Sequence, residues 1–195
     1  LQRNPARLAK MPRDEWRRFA ETIRLRDDFP GMLGLGWVEH VTADARPSFL
    51  ARVRADGMPH FRIHPHDDGA ALDVITYIEP EIANSAVIGL NIGAHEGSRE
   101  AAARAAETGL PTLTRTLPLV RDEESAPGFL LLQAVYRNDE PLDGAERRRK
   151  ALRGYVYAPF LARNFIEGTT PSQGHSFEVP ILEGGRTVAH IGTHS

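Results

Sequence analysis

Residues 128–136 read Gly-Phe-Leu-Leu-Leu-Gln-Ala-Val-Tyr, a continuous apolar run of strand length. A run this short and this apolar predicts a strand buried on both faces. Alternate side chains of a strand point the same way, so Leu130, Leu132, Ala134 and Tyr136 share one face. Small Ala134 between bulky Leu132 and Tyr136 predicts a concavity there. Tyr77 offers a hydroxyl at the end of a second strand. Mostly apolar walls with a few polar groups are what a small-molecule pocket requires.

Working outward toward the C-terminus, residues 138–144 read as a polar loop and Glu146 to Leu152 as a short basic helix. Gly154 to Tyr157 reads as a strand that Pro159 ends, and Phe160 to Ile166 as a helix. Phe177 to Leu182 and Arg186 to Ile191, joined by Glu183-Gly184-Gly185, carry a hairpin signal.

Toward the N-terminus, Gly97-Ser98-Arg99-Glu100 opens the clearest helix. Ser98 is placed to cap it, Ala101 to Ala106 have high propensity, and Gly109 ends it. Asp73 to Tyr77 is a strand that Glu79-Pro80 ends. Thr112 to Leu119 is extended, Phe61 to Ile63 alternates as a strand, and Ser48 to Arg54 suits a helix. From Pro12 onward, Trp16, Phe19, Ala20 and Ile23 make one apolar helical stripe opposite charged residues. Strands and helices mix without a βαβ rhythm. That predicts an α+β fold with helices set around an antiparallel sheet.

The chain has 195 residues, with 24 Lys and Arg against 26 Asp and Glu and a formal charge of −2. No broad cationic field results, so nonspecific nucleic-acid binding is not expected. No apolar stretch is long enough to span a bilayer, and no signal peptide opens the chain, so it reads as an excised fragment or mature form. The absence of cysteine excludes disulfides, thiolate nucleophiles and Cys-based metal sites.

His60, His64 and His66, with Asp67 and Asp68, form the densest ligand-capable cluster. On an extended strand the three histidines would share a face, which gives an alternative reading as a His-dependent metal-binding enzyme. A second alternative is a structural dimerisation segment joined through the amphipathic N-terminal helix. Ser98 lacks a nucleophile-elbow frame, and Gly89 to Gly93 lacks the lysine of a phosphate loop. Glu79, Glu81 and Glu96 are not fixed on one face, and the basic run Arg147 to Lys150 is balanced by neighbouring acids. No catalytic set, metal or cofactor is indicated, and the chain reads as a binding module.

Tyr77-Ile78-Glu79-Pro80, Asn84, Gly89, the helix ending Ala106-Glu107-Thr108-Gly109, Gly128 with Ala134-Val135-Tyr136, and Gly154-Tyr155-Val156 occur in the order and spacing of a CHASE domain. Pro30-Gly31 and Gly34-x-Gly36-Trp37 also fit its opening. The resemblance covers residues 29–166. It implies an N-terminal stalk helix over residues 1–29, a membrane-distal PAS-like ligand-binding subdomain over 30–150, and part of a membrane-proximal PAS-like subdomain over 151–195. It further implies an extracytoplasmic sensor of a small molecule, adenine- or cytokinin-like compounds included. The setting would be a homodimeric receptor with flanking transmembrane helices outside this chain and a cytoplasmic histidine kinase or nucleotide cyclase output.

In plant cytokinin receptors an aspartate before the Ala-rich helix holds the adenine; the matching residue here is Asn91, a departure from the family pattern. By the same resemblance Leu113 matches a pocket leucine, Phe61 an aromatic wall, and Ala158 a glycine whose backbone lines the pocket. With Tyr77, Leu132, Ala134 and Tyr136 from the strand pattern, these form the expected ligand-binding set.

Overall fold

The computed structural model describes residues 11–22, 31–65, 67–69, 71–121, 124–138, 140–162, 178–183 and 186–192. Helix α1 (Arg13–Glu21) precedes strand β1 (Leu35–Thr42), helix α2 (Arg46–Ala55) and strand β2 (Ala71–Glu79). Two short 3-10 turns, Ile82–Val87 and Ile92–Ala94, lead into helix α3 (Glu96–Thr108). Strands β3 (Thr112–Leu113), β4 (Leu117–Arg121) and β5 (Glu124–Tyr136) follow, then helix α4 (Ala145–Ala151), strand β6 (Leu152–Leu161) and a hairpin of β7 (Glu178–Glu183) and β8 (Arg186–Gly192).

The fold is α+β. An antiparallel sheet runs β2-β1-β6-β5-β3, with β4 also paired to β5, and β7-β8 form a separate two-stranded sheet. Strand β6, inside the segment 151–195, pairs with both β1 and β5 and is central to the sheet built by residues 30–150. It continues through Pro159, which was expected to end it. Pro159 stands opposite Leu130, and its carbonyl accepts from Leu33 N at 2.8 Å, on the side where β1 has already left the pairing. In an antiparallel ladder the missing N–H of Pro159 faces that same side, toward the Leu33 carbonyl, which instead accepts from Asn84 Nδ2 at 3.3 Å.

Strand β5 is not buried on both faces. Leu130, Leu132 and Ala134 are buried, whereas Phe129, Leu131 and Gln133 are half-buried. The run is apolar throughout because its second face is partly covered. Two layers flank the sheet. On one face, Val38, Ile75, Ile78, Leu132, Tyr155 and Tyr157 pack under α3 through Ala101, Ala102, Ala105 and Ala106. Alanine lets the helix lie close to the strands, and aromatic hydroxyls reach its backbone: Tyr155 donates to Ala102 O at 3.1 Å and Tyr136 to Ala106 O at 2.8 Å. Helix α3 ends at Gly109, whose φ of 73° is the left-handed cap that glycine adopts freely. On the other face, Trp16 of α1 packs on Trp37, Tyr77 and Val135, and Phe49 and Val53 of α2 pack on Val41, Leu72 and Val74.

The stripe of α1 thus faces its own sheet, with Trp16 and Ala20 buried; Ile23 lies outside the described residues. Charge fixes the other side of the helix. Arg17 donates to Glu79 at 3.1 Å and to Glu81 at 3.2 Å, and Arg13 pairs with Glu81. Burial by itself raises the Glu81 carboxyl, but the hydrogen bonds and charges of Arg13 and Arg17 outweigh it and hold the group below its ordinary 4.5. A depressed folded-state pKa gives stability that is complete above 4.5 and fades as pH falls through the folded value. Glu81→Gln is therefore expected to lose about 1 kcal/mol at neutral pH. Its melting temperature should converge with that of the parent chain as the pH is lowered below 4.5, measured by thermal unfolding across a pH series.

Phe61 to Ile63 is not a strand; beyond it only a single bridge forms, His64 to Leu90. Phe61 instead turns into the α2 core, and its carbonyl is held by Arg54 at 3.2 Å. No helix among the described residues is long and apolar enough to cross a membrane.

Candidate functional site

A cavity of about 350 Å³ opens on the α3 face of the sheet, at the N-terminal end of that helix. Its size lies within the range of small-molecule sites. Ile75 of β2, Leu117 and Leu119 of β4, Leu130 of β5, and Tyr157 and Pro159 of β6 form the sheet side. Leu33, Val87, Leu90 and Ile92 close it from the loops. Asn84, Asn91, His95 and Ser98 add polar groups, and none of the described lining residues is Asp, Glu, Lys or Arg.

The loop that makes this wall is tied down on two sides. Gly89 N donates to Ile75 O at 2.8 Å and Ile75 N to Leu90 O at 2.9 Å, while Asn91 N donates to His64 O at 2.8 Å. Asn91 is 2% exposed. Its Oδ1 accepts from Asp73 N at 3.2 Å and Gly93 N at 3.1 Å, and its Nδ2 donates to Asp67 Oδ2 at 3.3 Å. An amide carries two acceptor sites and two donor hydrogens. Three of the four are engaged, and one N–H is left. A carboxylate would satisfy the two backbone amides but could not donate to Asp67.

Tyr157 is 1% exposed, and its buried hydroxyl has no hydrogen-bond partner among the described residues. Burial pushes this phenol well above its ordinary value, so it is a neutral hydroxyl at physiological pH. Ser98 does not cap α3. His95 holds the N-cap position, and Ser98 lies in the first turn, buried against the cavity.

Of the eight residues expected to bind ligand, Asn91 lines this cavity. Leu132 and Ala134 lie further along the same sheet face, packed beneath α3, where Tyr136 also ties the end of that helix. Phe61 is in the α2 core, edge-on to Phe49 at 5.7 Å. Tyr77 is on the opposite sheet face and donates to Asp56 at 2.7 Å. Ala158 alternates with Tyr157 and so faces away from the cavity, while Leu113 is 52% exposed. Tyr157, Leu90 and Ser98 line the cavity from outside the expected set, and so does Leu130, which strand alternation places on the shared face. The alternation of Tyr155, Tyr157 and Pro159 along β6 carried part of that signal; the pairing of β6 with β5, which aligns Tyr157 with Leu132, did not show in sequence.

The histidine cluster does not assemble on one strand face. His60 is exposed in a turn, His64 Nε2 lies 3.1 Å from Ile88 O, and His66 lies outside the described residues. Among the described residues no group of three His, Asp or Glu is arranged to hold a metal.

The family model of the CHASE domain matches residues 9–190, nearly the whole chain. A search of the curated proteins finds no match. With a match of that extent, the chain belongs to the CHASE domain family, extracytoplasmic sensory domains of membrane receptors.

Proposed function

We propose that the cavity beside α3 binds a small, uncharged, largely apolar molecule without reacting with it, and that its occupancy is the signal this sensory domain reports. The observation that carries the reading is the Tyr157 hydroxyl, buried in the wall of an apolar cavity with no protein partner among the described residues. Burying a hydroxyl without a partner costs about 1–3 kcal/mol, and a guest that accepts its hydrogen bond recovers that loss. The remaining Asn91 N–H is a second polar contact. The uncharged lining disfavours ions, because a charge moved there loses its hydration without a counter-charge. Adenine derivatives meet these requirements of charge and size.

Under this reading residues 30–150, together with β6, form the distal PAS-like subdomain, and the chain beyond β6 contributes to a proximal one. The receptor would be homodimeric and periplasmic or extracellular, with a histidine kinase or nucleotide cyclase as its output. A dimer contact through the N-terminal helix would use its charged face, since Trp16 and Ala20 are already packed on the sheet.

The test is thermal unfolding with a panel of uncharged metabolites that includes adenine derivatives. At least one should raise the melting temperature in a concentration-dependent way. Tyr157→Phe should stabilise the ligand-free chain by about 1 kcal/mol and weaken the hit about tenfold. No response from any member, or chemical turnover of the hit, overturns the reading.

A further inference from the structure

The other face of the sheet carries a groove of about 510 Å³ between the start of α1 and the end of α2. Its chemistry is the reverse of the cavity's, because Glu39, Arg52, Asp56, Tyr77 and Arg153 line it. A β-bulge places Arg153 there. Val135 pairs with Gly154, but the next residue of β5, Tyr136, pairs with Leu152, so Arg153 is the extra residue. Leu152 and Tyr155 both belong to the apolar cluster under α3. The intervening bulge turns Arg153 to the opposite face, which is a common use of such irregularities.

Most polar groups of the groove have partners. Arg52 Nη2 donates to both oxygens of Glu39 at 2.6 Å. Asp56 Oδ2 accepts from the Tyr77 hydroxyl at 2.7 Å and from Arg13 N at 3.1 Å. Burial, followed by the bond to Asp56 and its charge, keeps the Tyr77 phenol protonated and donating. Two groups are left over. Arg153 is half-buried, and among the described residues no ion pair or hydrogen bond engages its guanidinium; Asp56 Oδ1 accepts from none of them. The two arginines and two carboxylates of the groove sum to zero charge.

We propose that this groove is a second binding site, for an α-amino acid whose carboxylate pairs with Arg153 and whose ammonium group faces Asp56. Guanidinium and carboxylate match as a bidentate, charge-assisted pair. A ligand with only negative charge meets Glu39 and Asp56, and one with only positive charge meets Arg52 and Arg153. A short zwitterion is repelled by neither.

Isothermal titration of the purified chain with the proteinogenic amino acids, and with N-acetyl and carboxamide forms of any that bind, tests this. At least one amino acid should bind, and blocking either end should weaken it at least about tenfold. Arg153→Gln, a change at a partly exposed position that the fold tolerates, should weaken it as much. Hydrogen exchange should show protection at residues 52–56 and 153, not at 88–98. Absence of binding by every amino acid, unchanged affinity in Arg153→Gln, or protection at 88–98 overturns the proposal. The first two outcomes leave the apolar cavity untouched, since it is tested with uncharged compounds; protection at 88–98 would instead place the amino acid in that cavity.

Discussion

Asn91→Ala is expected to lower stability by about 3 kcal/mol, and the melting temperature by about 6–12 °C for a chain of this size. The alanine removes no large apolar surface. It leaves the amides of Asp73 and Gly93 without the Oδ1 that now serves both, and it leaves Asp67 Oδ2 without its donor. With Asn91 only 2% exposed, water cannot easily replace these bonds. Orphaning a buried polar group costs about 1–3 kcal/mol, about twice the net worth of an average hydrogen bond. Asn91→Asp separates the acceptor role from the donor role. It keeps the oxygen facing the two amides but sets a carboxylate against Asp67. The new acid is favoured in its protonated form when folded, so its folded pKa lies above the unfolded value. Its stability is best at low pH and falls as pH rises past the ordinary aspartate value of about 3.9. Thermal unfolding of parent and both variants at two pH values checks this. A change under about 2 °C for Asn91→Ala would show that the amide is only a wall of the cavity.

Much of this fold was legible in the sequence, because periodicity and end signals are local. The stripe of Trp16 and Ala20, the Ala-rich helix that stops at Gly109, the apolar run of β5 and the Gly184-Gly185 hairpin signal all report on neighbours a few residues apart. The cavity is a different kind of object. Its walls come from β2, β4, β5, β6 and the loop at 82–95, and no local pattern states that Tyr157 and Ile75 meet. Strand alternation placed Leu130, Leu132 and Ala134 on the correct common face, but α3 covers two of them, and only Leu130 reaches the open end. Ser98 has the residue type of a helix cap. One turn of helix begun earlier, at Glu96, made it a buried lining residue instead. Family likeness for Phe61 and a strand-end hydroxyl for Tyr77 are what point to these two residues in the sequence. Burial against α2 and a bond to Asp56 account for where they sit. The bulge that exposes Arg153 depends on the register between two distant strands, and sequence spacing is silent on it.

Gly36→Ala is expected to cost about 3 kcal/mol and to abolish ligand binding in the cavity. Gly36 pairs with Tyr157 on one side and Ile78 on the other, in the middle of the sheet. A Cβ there would stand 2.5 Å from the Tyr77 carbonyl oxygen and closer still to the Tyr157 ring. The carbonyl belongs to the strand ladder and cannot retreat without breaking pairing between β1 and β2. The Tyr157 ring must move as well, since its Cε1 would lie nearest to the added Cβ. Displacing it changes the wall it gives to the cavity, so the same methyl group that destabilises the sheet also alters the site. A double-mutant cycle separates this from a general backbone effect. If the clash with the ring dominates, Gly36→Ala combined with Tyr157→Ala should be less destabilised than the sum of the two single changes by at least about 1 kcal/mol. Additive single effects would place the cost in the β1–β2 ladder alone, and an unchanged melting temperature for Gly36→Ala would mean that the ring does not rest on this glycine.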